Sequence, residues 1–209
     1  DVKELTVTNA DERKYLEGQV DESLIGTRSI SCIYIEAQGS GEGLDVSVEN
    51  ITWCTADMYM NAMVTAGITD ANVKIVAPYK VSGTAALTGI YMAYEDITGK
   101  KLDEDAKLVG TKELTITAEL ADEIGSADST AIVNELKLIL DQTKDMTDDE
   151  LREQIKQIAE KYEVTLNDSQ IDQLISLCRS LEKLDVSALK EKVEQVQQYL
   201  KDIVSKQGE

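Results

Sequence analysis

One stretch of the chain carries residue types that could hold a ligand: Ala77-Pro78-Tyr79-Lys80-Val81-Ser82-Gly83-Thr84-Ala85-Ala86-Leu87-Thr88-Gly89. It contains the only proline, and it reads as a strand end feeding directly into a helix start. At such a junction, free backbone N–H groups and the helix dipole favour an anion. Gly83 would let a ligand come close to the backbone, Ser82 and Thr84 offer hydroxyls, and Lys80 offers a positive charge. The chemistry would be that of a receptor for a small anion or carboxylate, or of a hydrolase using the same turn. The same residues also read as a Ser82 N-cap followed by small residues that let the helix lie close on a sheet. The G-x-x-x-x-G-K-[ST] spacing of a phosphate-binding loop is missing.

The remaining reactive residues point to little catalysis. There is no histidine, which excludes His general bases, Ser-His-Asp triads and His metal sites. Ser180/Lys183 and Ser187/Lys190 match S-x-x-K, but no S-D-N or K-T-G accompanies them. Asp103-Glu104-Asp105 and Asp148-Asp149-Glu150 lack EF-hand spacing and suit the first turns of helices. Cys32, Cys54 and Cys178 show no C-x-x-C spacing. Cys32 and Cys54 could meet across a sheet, or all three could be small buried hydrophobes. Tyr34, Trp53 and Tyr59 could line a binding surface, or pack the core and rim of a chain that lacks phenylalanine. No catalytic residue, metal ligand or cofactor is assigned.

Stepping from these residues to the elements that must carry them, the 209-residue chain has a 42% hydrophobic share, enough for a buried core. Aromatics make up only 4%, so that core must be aliphatic. The net charge of −19 repels phosphate backbones and anionic lipid, which argues against nucleic-acid binding. No run approaches the ~20 apolar residues of a membrane span, so no membrane insertion of this chain is expected. The chain starts at Asp1 rather than Met, which suggests a trimmed or processed form.

Residues 3–8 read as a first strand, followed by a helix capped by Asn9 with Glu12 completing a capping box. Residues 29–37 read as a second strand, then a flexible glycine-rich turn at residues 39–43. Leu44, Val46 and Val48 alternate with Asp45, Ser47 and Glu49, the mark of a strand with one wet face. Thr55 opens a helix that stops at Gly67, residues 72–78 form the last strand, and Ser82 starts a helix that Gly99 closes. A hairpin between the second and third strands gives a ferredoxin-like βαββαβ arrangement with an added helix, the fold class being α+β. A faint repeat, Thr8-Asn9-Ala10-Asp11 against Cys54-Thr55-Ala56-Asp57, agrees with two related βαβ units.

From about Asp103 the pattern is helical only. Two short pieces are expected around Leu114-Thr115-Ile116, then a helix over residues 126–142. Thr147/Glu150 and Asn167/Gln170 form capping boxes, and Asp185 caps the last helix. The expected domains are an α+β domain over residues 1–102, a helical connector over 103–125 and an antiparallel helical bundle over 126–209.

Leu5-Thr6-Val7-Thr8-Asn9-Ala10, Ile25-Gly26-Thr27-Arg28-Ser29-Ile30-Ser31, Asn50-Ile51-Thr52-Trp53, and above all Ala77-Pro78 with Val81-Ser82-Gly83-Thr84-Ala85-Ala86-Leu87-Thr88-Gly89, resemble the YpuA-like proteins. These are exported Firmicutes proteins classed as a domain of unknown function. The resemblance covers residues 1 to about 125, and is one of pattern beyond. It implies a precursor with a signal peptide, an extracellular or cell-envelope location, and an N-terminal precursor segment absent from this chain. It supplies no catalytic residues. The leading functional expectation is a secreted or envelope-associated interaction protein without catalysis, its partner a protein or an envelope component. The alternative is the anion receptor or hydrolase at Lys80, Ser82, Gly83 and Thr84.

Overall fold

The computed structural model describes residues 3–18, 22–25 and 29–207, with side chains described to residue 198 except Leu24. The chain forms two compact units, Asp1–Thr115 and Ile116–Glu209.

The first unit is a mixed α+β structure. Its elements are α1 (Asn9–Leu16), α2 (Glu22–Ile25), β1 (Cys32–Ala37), β2 (Leu44–Ile51), α3 (Ala56–Ala66), β3 (Ala71–Val81), α4 (Ala86–Thr98) and the start of α5 (Glu104–Ile124). The sheet order is β1-β3-β2, with β1 antiparallel and β2 parallel to β3. Strand alternation sets the two faces. Leu44 and Val46 of β2 and Ala71, Val73, Ile75 and Ala77 of β3 are buried, while Asp45, Ser47, Asn72 and Lys74 between them are exposed. Helix α3 packs beside β2 and α4 beside β1. Their Met58, Met63, Leu87 and Ile90 are fully buried and supply the aliphatic core that the composition demands.

This differs from the expected βαββαβ plan in two ways. Residues 3–8 form no strand and are largely exposed. Strands β1 and β2 make no hairpin, because β3 lies between them. The reason lies at Asp70. Its Oδ1 accepts from Gly41 N and Gly43 N, both at 2.8 Å, and its backbone oxygen accepts from Gln38 N at 3.1 Å. Gly41 and Gly43 take φ of 87° and 83°, which other residues resist. The supposed flexible turn is thus wrapped around the start of β3, and it carries the chain from one side of that strand to the other.

A polar cluster around the buried Lys107 ties α1, α4 and α5 together. Lys107 is 3% exposed, with its ammonium 2.7 Å from Glu104 and 3.2 Å from Glu95. Lys14 also reaches Glu104, at 2.9 Å. Hydrogen bonds from Lys107 and Lys14 lower the Glu104 carboxyl to about 2. Tyr15 stands edge-on to Tyr91, ring centres 6.0 Å apart.

Helix α5 is continuous where two pieces were expected. Its run of β-branched residues is a poor helix former. Thr111 Oγ1 donates to Lys107 O and Thr115 Oγ1 to Lys112 O, both at 2.9 Å, so these hydroxyls are satisfied within the helix. Burial of Leu114, Ile116 and Ala118 then outweighs propensity.

The second unit is helical: α6 (Ser126–Leu138), α7 (Leu140–Thr143), α8 (Asp148–Lys161), α9 (Asp168–Leu181) and α10 (Val186–Gln207). The capping boxes at Thr147/Glu150 and Asn167/Gln170 are present, and Asp185 accepts from Ala188 N at 3.0 Å. The helix expected over residues 126–142 breaks at Ile139 into α6 and α7. Arg179 of α9 closes the end of α7. It donates to Thr143 O at 3.0 Å and Met146 O at 2.7 Å, and pairs with Asp148 and Glu182.

That clamp makes a checkable difference. Arg179→Met loses bonds to two backbone carbonyls and should lower stability in urea by about 2 kcal/mol. Arg152→Met breaks only pairs to the exposed Asp168 and Asp172 and should leave the urea midpoint nearly unchanged. Equal losses would overturn the assignment.

Candidate functional site

Helix α1 carries an acidic side chain into the interior of the first unit. The N-cap is Thr8, one residue before the expected Asn9. Thr8 Oγ1 accepts from Asp11 N at 3.4 Å, and the Asp11 carboxylate accepts from Thr8 N at 2.8 Å. Asp11 therefore fills the role expected of Glu12. The Thr-x-x-Asp spacing was present in the sequence, beside the competing Asn-x-x-Glu. Residues 12, 15 and 16 share one helical face by their i, i+3, i+4 spacing, and the face that buries Tyr15 and Leu16 carries Glu12 in with them.

Glu12 is fully buried. Its Oε2 receives one long hydrogen bond, 3.4 Å from Asn9 Nδ2, and its Oε1 has no partner. Ser29 Oγ lies beside it and makes no hydrogen bond of regular geometry. Burial raises the Glu12 carboxyl above its ordinary range, and Asn9 and Ser29 offset only part of that rise.

Glu12 lines a groove of about 730 Å³, within the size range of ligand pockets. One wall is the outer edge of β1. Among the described residues β1 pairs only with β3, so this edge is open. The opposite wall is segment 3–7, and no backbone hydrogen bond joins it to β1 among the described residues. The floor is the face of α4 that carries Ala86, Gly89 and Ala93 at helical spacing. A methyl group at Gly89 would lie 3.4 Å from Ile33 and 3.5 Å from Val7, so the two walls meet over this small residue. At the rim, Lys3 Nζ sits 2.6 Å from Asp96, and Leu5 and Ile97 are each 43% exposed.

The residues singled out from sequence lie elsewhere. Strand β3 continues to Val81, and α4 begins at Ala86 with Ala85 as its N-cap and no side-chain cap bond. Ser82 is not the cap; its backbone oxygen accepts from Cys54 N at 3.2 Å. Gly83 is buried at φ 94°, and its oxygen accepts from Tyr59 OH at 2.5 Å. A Cβ there would lie 2.4 Å from both Ile51 and the Tyr59 hydroxyl, so close packing demands glycine. Thr84 is buried and Lys80 exposed. Just before, β3 bulges: Glu49 opposes Val76 but Ile51 opposes Val81. Pro78 falls in the bulge, and Asn50, at φ 60°, donates to Ala77 O at 2.8 Å.

The three cysteines are free, Cys32 exposed and the other two buried. Burial pushes the Cys54 and Cys178 thiols up to about 12. Among the described residues no group of three or more His, Cys, Asp or Glu could hold a metal ion, and no helix is long and apolar enough to cross a membrane.

A family model described as "Protein of unknown function (DUF1002)" matches residues 1–199. The chain is 40% identical over 185 residues to the "Uncharacterized protein YpuA" of Bacillus subtilis (strain 168), a match covering 87% of this chain and 63% of that protein. The chain thus spans less than two thirds of that relative's length. No solved structure matches.

The buried carboxylate sets a stability test. A carboxyl whose folded value is raised binds its proton more tightly in the native state, so stability falls as pH rises from the unfolded value through the folded one. Glu12→Gln removes that loss. It should raise the urea midpoint at about pH 7 and leave it nearly unchanged at about pH 4. A variant weaker than the parent at neutral pH would overturn this reading.

Proposed function

We propose that this chain, which belongs to the DUF1002 family of proteins of unknown function, is a binding protein that takes an extended partner peptide along the open edge of β1. The observation that carries the reading is the groove itself: a strand edge unpaired among the described residues on one side and, on the other, segment 3–7, which no described backbone hydrogen bond joins to it. An unpaired edge presents a row of backbone donors and acceptors, which an added strand satisfies. The six residues of β1 match a strand of about 20 Å. Of the small residues along α4, Ala86 and Gly89 are buried beneath the walls, and Ala93 is the half-buried one that an incoming side chain would meet. The reading is non-catalytic, and the raised thiols of Cys54 and Cys178 and the absence of histidine support that part. An extracellular or cell-envelope location belongs to the same proposal, on the exported character that the YpuA-like resemblance implies.

The test is selection of a displayed library of random twelve-residue peptides on the whole chain. Recovered peptides should slow hydrogen exchange at the amides of Cys32–Ala37 and should lose binding when Ala93→Trp fills the floor. Peptides that bind with β1 still exchanging freely and with Ala93→Trp unaffected would overturn the proposal. So would β1 amides already protected, before any peptide is added, in the longer Bacillus subtilis relative.

A further inference from the structure

We infer that the peptide in the groove carries a lysine or arginine whose cationic head is received by Glu12 Oε1, an assignment that rests on the strand reading above. Glu12 contributes little as a structural residue. It is neither a cap nor an ion-pair partner among the described residues, and one of its oxygens is buried without a hydrogen bond. Buried polar atoms are almost always paired, so an orphan on the wall of a groove marks a place where a ligand donor belongs. Glu12 Oε1 and Ser29 Oγ lie there together, neither in a hydrogen bond of regular geometry; the Ser29 hydroxyl faces the carboxylate, each oxygen keeps lone pairs to offer, and both residues line the groove. An ammonium or guanidinium is a donor-only group and can serve both at once.

The surrounding charge agrees. Among the described residues Glu4, Glu36 and Asp96 also line the groove, and the one cationic residue there, Lys3, is committed to Asp96 at the rim. An apolar or acidic side chain placed at Glu12 would leave the buried carboxylate unpaired or repelled, so the site selects against such peptides as well as for basic ones.

The probe is the set of twelve-residue peptides recovered by the selection above. Each lysine or arginine of the tightest peptide is replaced in turn by norleucine, and binding is measured to the parent chain and to Glu12→Gln. One position should weaken binding about tenfold in the parent, as loss of a charge-assisted hydrogen bond implies, and hardly at all in Glu12→Gln. Peptides that dock along β1 yet carry no basic residue, or a basic residue that matters equally in both proteins, would overturn the assignment and leave strand docking standing. Peptides that leave β1 exchanging freely would overturn the strand reading first, and this one with it. The norleucine comparison on the parent chain needs no variant: peptides docked along β1 whose binding survives replacement of every lysine and arginine would overturn the assignment even if Glu12→Gln fails to fold.

Discussion

Strand β3 carries both of its neighbours, and the rest of the first unit follows from that. Its alternation is the longest in the sheet, and its inner residues Ala71, Val73, Ile75 and Ala77 are all buried. A strand so placed must pair on two sides. Asp70, at its root, gathers the amides of Gly41 and Gly43 and so sends the chain across to the far side before β2 begins. Once β3 is central, β1 becomes an edge. The groove beside it is a result of topology, not of any one side chain.

Much of this was legible in the sequence, because most of it depends on local rules. The alternation of Leu44 to Glu49, the stop at Gly67, the capping boxes at Thr147 and Asn167 and the start at Asp185 each involve residues close along the chain. What failed involved choices between distant partners. Nothing local says that residues 39–43 must wrap Asp70 instead of closing a hairpin. The continuity of α5 likewise depends on burial that outweighs the weak helix propensity of its threonines.

The site shows the same division. The strand-to-helix junction was visible as a string of distinctive residues, yet Gly83 is small because Tyr59 and Ile51 press against it, a contact between segments far apart in sequence. Glu12 was visible only as a capping residue. Two overlapping boxes competed, Thr8 with Asp11 and Asn9 with Glu12, and their energies as caps are nearly equal. The box at Thr8 is the one that forms. Glu12 shares a helical face with the buried Tyr15 and Leu16, and that tertiary burial, which no local pattern announces, turns an acid that reads as a cap into a desolvated one.

The placement of the thiols has a practical side. Cys54 and Cys178 are sealed in the core, whereas Cys32 stands exposed at the first residue of β1 and lines the groove. A maleimide-linked fluorophore or nitroxide added to the folded chain would reach that one sulfur, so the molecule brings its own attachment point for a spectroscopic reporter to the lip of the cleft, with no residue altered.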